Sequence, residues 1–85
     1  MPCLLLYDIP NDRLRTKVSE ICMDYGLDRI QYSAFSGQLS KTHRKELWTQ
    51  IKREIGDKVA NVQLIQVSPA DWKERIVIAQ KEKEE

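Results

Sequence analysis

The sequence predicts one α+β domain in which two helices lie on a single face of a sheet that contains antiparallel strands. Three observations carry this. The chain has 85 residues, too few for a second core to be buried. Two stretches repeat apolar residues at helical spacing, and runs of strand composition lie before, between and after them. With 41% hydrophobic and 32% charged residues, the chain is neither charge-dominated and disordered nor lipid-facing.

The first strand is Cys3 to Tyr7, apolar at every position and ending near Asp8, as expected of a central strand buried on both faces. Pro10 cannot donate a ladder hydrogen bond, and Asn11-Asp12 is turn and N-cap chemistry, so a helix should begin at about Asp12 or Arg13. Leu14, Val18, Ile21, Cys22 and Tyr25 form its apolar stripe, and Gly26 ends it. Arg29 to Leu39 alternates and is read as extended chain, with Ile30, Tyr32 and Ala34 on one face and Arg29, Gln31, Ser33 and Phe35 on the other. Ser36-Gly37 permits a bend or bulge. Ser40 precedes a second stripe of Leu47, Trp48, Ile51 and Ile55, stopped by Gly56-Asp57. Val59 to Val67 returns to strand composition, Ser68-Pro69-Ala70-Asp71 reads as a break, and Arg75 to Ala79 as a short last strand.

Two amphipathic helices and this element order select a ferredoxin-like βαββαβ sandwich with an extra short C-terminal strand. That fold needs two strands between its helices, so the segment from Arg29 to Leu39 must break near Ser33 to Gly37. Residues 1–80 are expected to form the domain and residues 81–85 a frayed, charged tail.

Fourteen Lys and Arg against thirteen Asp and Glu give a net charge of +1, which excludes a nucleic-acid binder that works by bulk positive charge; any such binding must be local. Cys3, Cys22 and the single His43 cannot supply a tetrahedral zinc site, and both cysteines are expected in the core. Neither apolar run approaches the ~20 residues of a membrane-spanning helix, and no export signal is visible, so no membrane association and a cytoplasmic location are expected.

Asp8 is the most informative residue, because a carboxylate at the end of an apolar central strand is not there for packing. Either it caps the following helix or the loop amides, or it is a ligand for a hard cation that acts on a phosphodiester. One carboxylate is thin for a metal site, and two copies meeting across a dimer axis would supply a pair. Arg13, Arg15 and Lys17 follow on the first turns of the helix, where they either contact phosphate or are simply solvated. Arg29 and Phe35, with Gln31 and Ser33, could line a nucleic-acid groove, although cross-strand packing explains Phe35 as well. His43, Trp48 and Trp72 are expected in structural roles, and with three glycines and no Gly-rich phosphate loop, P-loop chemistry is set aside.

Tyr7-Asp8-Ile9, Asn11-Asp12-Arg13-Leu14-Arg15, the run from Tyr25 through Gly26-Leu27-Asp28-Arg29-Ile30-Gln31-Tyr32 to Ser33, and Arg75-Ile76-Val77-Ile78 together resemble the CRISPR-associated protein 2 family over nearly the whole chain. The resemblance implies a ferredoxin-like homodimer, Mg²⁺- or Mn²⁺-dependent endonuclease activity on RNA or double-stranded DNA, and acquisition of new CRISPR spacers with the larger adaptation integrase. It places the catalytic, metal-holding aspartate at Asp8 and nucleic-acid contacts at Tyr7, Arg13, Arg15, Lys17, Arg29 and Phe35. Lys17 stands where Arg is frequent and lacks its bidentate fork; Asn11 stands where a second acidic residue is frequent, and Ala34 where Val is. The last strand would pair with the partner protomer's sheet. Two alternatives accompany the nuclease: a non-catalytic dimeric scaffold that bridges the integrase and clamps DNA, and, more distantly, a toxin-type ribonuclease of the same fold.

Overall fold

A computed structural model describes residues 1–80. Its elements are β1 (Pro2–Asp8), α1 (Asp12–Asp24), β2 (Asp28–Gln31), β3 (Ala34–Gln38), α2 (Lys41–Ile55), β4 (Asn61–Gln66) and α3 (Pro69–Lys73). The strands lie in the order β2-β3-β1-β4, and every neighbouring pair is antiparallel. This is the ferredoxin-like arrangement expected from the sequence. The charged tail, residues 81–85, lies outside the described residues.

Both long helices start where their caps dictate. The Asn11 side chain accepts from the Leu14 amide at 2.9 Å, and the Ser40 hydroxyl from the His43 amide at 3.1 Å, each satisfying one of the first-turn donors that a helix leaves unpaired. Leu14, Val18, Ile21 and Cys22 of α1 and Leu47 and Ile51 of α2 face the sheet, where they meet Cys3, Leu5, Tyr7 and Phe35. Both cysteines are buried free thiols in that core, as expected.

The alternation of β1 puts Cys3, Leu5 and Tyr7 under the helices and Leu4, Leu6 and Asp8 on the opposite face. Leu4 pairs with Ser36 and Ile65, and Leu6 with Ala34 and Gln63. Among the described residues no element covers this second face, so β1, expected to be buried on both sides, is buried on one, with Leu4 and Leu6 only half-buried.

The structure departs from the sequence reading at four further places along the chain of elements. The strand break falls at Tyr32 and Ser33, between β2 and β3. Gly37 lies within β3 and makes no bend; a Cβ there would come within 2.8 Å of Leu27 Cδ2, so the glycine serves a close approach. Ser68 to Asp71 starts a helix where a simple break was expected: the Ser68 hydroxyl accepts from the Asp71 amide, and Pro69 takes the first-turn position that its missing N–H suits. The strand expected at residues 75–79 does not form within the single chain. Residues 75–80 have no regular structure, and Ile76 is 96% exposed.

Candidate nucleic-acid interface

Asp8 ends β1 opposite Asn61 of β4. Its side chain is exposed, and among the described residues it takes part in no hydrogen bond or ion pair. The capping role that would have explained it belongs to Asn11. Around Asp8 lies a shallow concavity of about 270 Å³ to which Gln31, Ser33, Asn61 and Gln63 contribute neutral oxygen donors. This donor set suits a hard, hydrated cation, which takes one or two carboxylates and keeps several waters. Asp8 is its one carboxylate, and among the described residues no group of three His, Cys, Asp or Glu side chains is assembled.

The six candidate nucleic-acid contacts separate into three places. Arg13 and Lys17 are four residues apart on α1 and line one groove with Lys58, but Glu20 and Glu54 line it too. Arg15 is two positions from Arg13, a rotation of about 200° around the helix, and points elsewhere. Its guanidinium donates to the Ile9 carbonyl at 2.9 Å, pairs with the Asp12 carboxylate, and stands over the Tyr32 ring at 5.7 Å. Arg29 donates to the Tyr32 carbonyl at 2.8 Å and covers the Phe35 ring at 5.0 Å.

Phe35 and Tyr7 are in the core. Phe35 is 0% exposed and stacks on Tyr7 with ring centroids 6.2 Å apart; cross-strand packing is therefore its role in the folded chain. The Tyr7 hydroxyl is buried with no hydrogen-bond partner among the described residues, and burial pushes its pKa up against the pull of Arg29 and Arg15. These two rings cannot stack on a base from where they sit, but they seat Arg29. Gln31 is also displaced from its expected side. A bulge between Arg29 and Gln31 makes Arg29 oppose Phe35 while Gln31 opposes Ala34, so strict alternation fails within β2.

Tyr32 was not singled out by the sequence. Alternation assigned it to the face of Ile30 and Ala34, whereas it sits at the tip of the β2–β3 turn and is 70% exposed. The requirement for two strands between Arg29 and Leu39 was the available signal, since a turn there has to expose its central side chains. His43 is exposed on α2, edge-on to Tyr25, and forms no part of the site.

A family model described as CRISPR associated protein Cas2 matches residues 1–75. The chain belongs to this family. A protein of Chloroflexus aurantiacus named CRISPR-associated endoribonuclease Cas2 2 is 50% identical over 80 residues, covering 94% of each chain. A Thermoproteus tenax protein named CRISPR-associated endonuclease Cas1/endonuclease Cas2 fusion is 36% identical over 67 residues, 79% of this chain and 25% of its own. The crystal structure of Streptococcus pyogenes Cas2 superposes with a TM-score of 0.79 at 20% identity, covering 94% of this chain and all of that one (100%), which supports the fold. Family membership displaces the toxin-type ribonuclease considered from the sequence. Among the described residues no helix is long and apolar enough to cross a membrane.

Proposed function

We propose that this Cas2 chain works in CRISPR spacer acquisition as a cytoplasmic homodimer that cleaves RNA or DNA phosphodiesters with Mg²⁺ or Mn²⁺, and that Asp8 is the carboxylate that holds the ion. The observation that carries this reading is the spare charge of Asp8. An exposed carboxylate on a core strand, with the helix capped by another residue, has no structural task left to do. When bound, the ion supplies positive charge against the scissile phosphate and lowers the pKa of water.

Dimerisation is supported by what one chain leaves open. Among the described residues no element covers the sheet face of Leu4, Leu6 and Ile65, Ile76 to Ile78 are exposed, and β4 is an edge strand with no outer partner. A second copy would cover that face and pair residues 75–79 with its own sheet edge, removing two liabilities at once. An axis near the Asp8 end of the face would also duplicate the carboxylate. Arg15 and Arg29 then neutralise backbone phosphates on either flank of Tyr32, which makes binding sequence-tolerant and salt-sensitive. The Arg13 and Lys17 groove contributes less, because Glu20 and Glu54 share it.

The test is Asp8→Asn, which keeps the shape and removes the charge. Cleavage should fall by orders of magnitude and vanish with a chelator, while the melting temperature and the sedimentation coefficient stay as in the parent. Metal-dependent cleavage that survives in Asp8→Asn would move the chemistry to other residues. Truncation after Glu74 should yield monomer or aggregate, and a dimer of unchanged affinity would refute the strand exchange.

A scaffold reading has its own support in the Thermoproteus tenax fusion, whose name joins a Cas1 to a Cas2 moiety in one polypeptide. Cas1 would then be the larger integrase, and the dimer a spacer that clamps DNA. Under that reading Asp8→Asn leaves spacer acquisition intact; under the nuclease reading acquisition falls with cleavage.

A further inference from the structure

The chain has six aromatic residues, one Phe, two Trp and three Tyr. Tyr7 and Phe35 are buried, Tyr25, Trp48 and Trp72 are half-buried, and Tyr32 alone is exposed. A single exposed ring needs no explanation in itself. Its surroundings do. The turn that carries it is tied down on both sides, by the Arg29 guanidinium donating to the Tyr32 carbonyl at 2.8 Å and by the Tyr7 amide donating to the Ser33 carbonyl at 3.1 Å. Arg15 stands over the ring at 5.7 Å, within cation–π range, and is itself held by the Ile9 carbonyl and Asp12. Ser33, the next residue, lines the concavity of Asp8.

We infer that Tyr32 is a stacking platform for one unpaired nucleobase, and that this chain therefore engages single-stranded nucleic acid through a base as well as through its backbone. The inference deepens the proposed nuclease reading and rests on it. A base-paired nucleotide hides both its faces in the stack, so an isolated ring on a surface turn has little to offer a duplex. An unstacked base has a free π-face, and the exposed part of Tyr32 supplies the complementary one. The ring is held ready by its anchored turn and by Arg15, so little freedom is lost when a base arrives. The same guanidinium, together with Arg29, lies where it can neutralise the phosphates that flank that base. Stacking distinguishes poorly among bases, which agrees with a sequence-tolerant reader, and it selects strandedness instead. Unpaired RNA and unpaired DNA share this chemistry.

The experiment uses full-length Asp8→Asn protein in chelator, so that binding is read without cleavage. Four probes are compared: a single-stranded RNA, a single-stranded DNA, the corresponding DNA duplex, and the single-stranded DNA with successive abasic positions that keep every phosphate. Tyr32→Ala should weaken binding of both single strands about 5- to 150-fold, the range for loss of one stacked base. Tyr32→Phe and Tyr32→Trp should restore it, and duplex binding should hardly change. The salt slope should stay as in the parent, because no phosphate contact is lost. One abasic position should reproduce the Tyr32→Ala loss, and the two losses should not add. A larger loss on RNA than on DNA would identify RNA as the preferred source of the base. Equal weakening of duplex and single strands, failure of Tyr32→Trp to rescue, or a changed sedimentation coefficient in Tyr32→Ala would overturn the inference while leaving the nuclease reading intact. Absence of binding to every probe by the parent protein would overturn both.

Discussion

Replacing Phe35 by Leu separates a core ring from a nucleic-acid contact. The ring is fully buried, stacks on Tyr7 at 6.2 Å with planes 24° apart, and carries the Arg29 guanidinium at 5.0 Å. Leucine keeps an apolar side chain but loses the aromatic pair, about 0.5–1.5 kcal/mol. It also loses the cation–π contact, about 0.5–1 kcal/mol at a partly exposed site. The incompletely filled space costs about 0.5–1 kcal/mol more. Together these come to about 1.5–3.5 kcal/mol, a large share of the ~4–13 kcal/mol expected for a domain of this length. Thermal unfolding followed by tryptophan fluorescence, at one fixed concentration because any self-association shifts Tm, should show a fall of about 6–28 °C. Nucleic-acid binding by the folded variant should stay close to the parent's, since Arg29 keeps its hydrogen bond to the Tyr32 carbonyl. An unchanged Tm together with a large loss of binding would show that the ring reaches the ligand, and the burial argument would be refuted.

Three further outcomes are expected. Asn11→Ala should cost about 1 kcal/mol through loss of the helix cap, whereas Asn11→Asp should be near neutral; equal urea midpoints for all three proteins would contradict the capping role. Gly37→Ala should destabilise by about 1–2 kcal/mol because the added methyl meets Leu27 in a packed interior, and Leu27→Val should recover part of it, so a Gly37→Ala protein as stable as the parent would mean that β3 and Leu27 are not so close. Burial pushes the Cys22 thiol from 9.0 up to about 12, so between those values the folded state holds a proton that the unfolded state has lost. Stability should fall as pH rises through that window, by at most about 1.4 kcal/mol per pH unit, and be unaffected by this thiol below it. Urea midpoints at pH 8 to 10.5 read the slope; Cys22→Ala should lessen it, and a flat profile in the parent would be inconsistent with the buried thiol.

How far the molecule was legible follows from the range of the forces involved. Helices announce themselves locally: Asn11 and Ser40 mark their starts, and Leu14, Val18, Leu47 and Ile51 mark the buried stripes with no knowledge of the rest of the chain. The first strand was equally plain from Cys3 to Tyr7, but the burial expected on both its faces is met on one, because among the described residues no element lies over Leu4 and Leu6. Asp8 stood out for the same local reason, as a charge ending an apolar run, while nothing local could say which other side chains would gather around it. The errors cluster where local rules compete. Ser68-Pro69 is both a strand stop and a helix start, and the Asp71 amide was there to be capped. Between Arg29 and Ala34 an alternating pattern runs on across a bulge and a turn, so it could not choose between a groove and cross-strand packing for Phe35, and it put Tyr32 on the face of Ile30 and Ala34 when the turn exposes it.

That bulge decides which residue of β2 is expendable. Arg29 opposes Phe35 and Gln31 opposes Ala34, which leaves Ile30 as the surplus residue between them. With the turn held in place, deletion of Ile30 would give a regular ladder in which Arg29 still meets Phe35 and Gln31 still meets Ala34. Deletion of Gln31 would instead bring Ile30 opposite Ala34, an apolar side chain where an amide now lines the concavity of Asp8. Shortening the strand by one residue thus spares or strips the surroundings of the carboxylate according to which of two adjacent residues is lost.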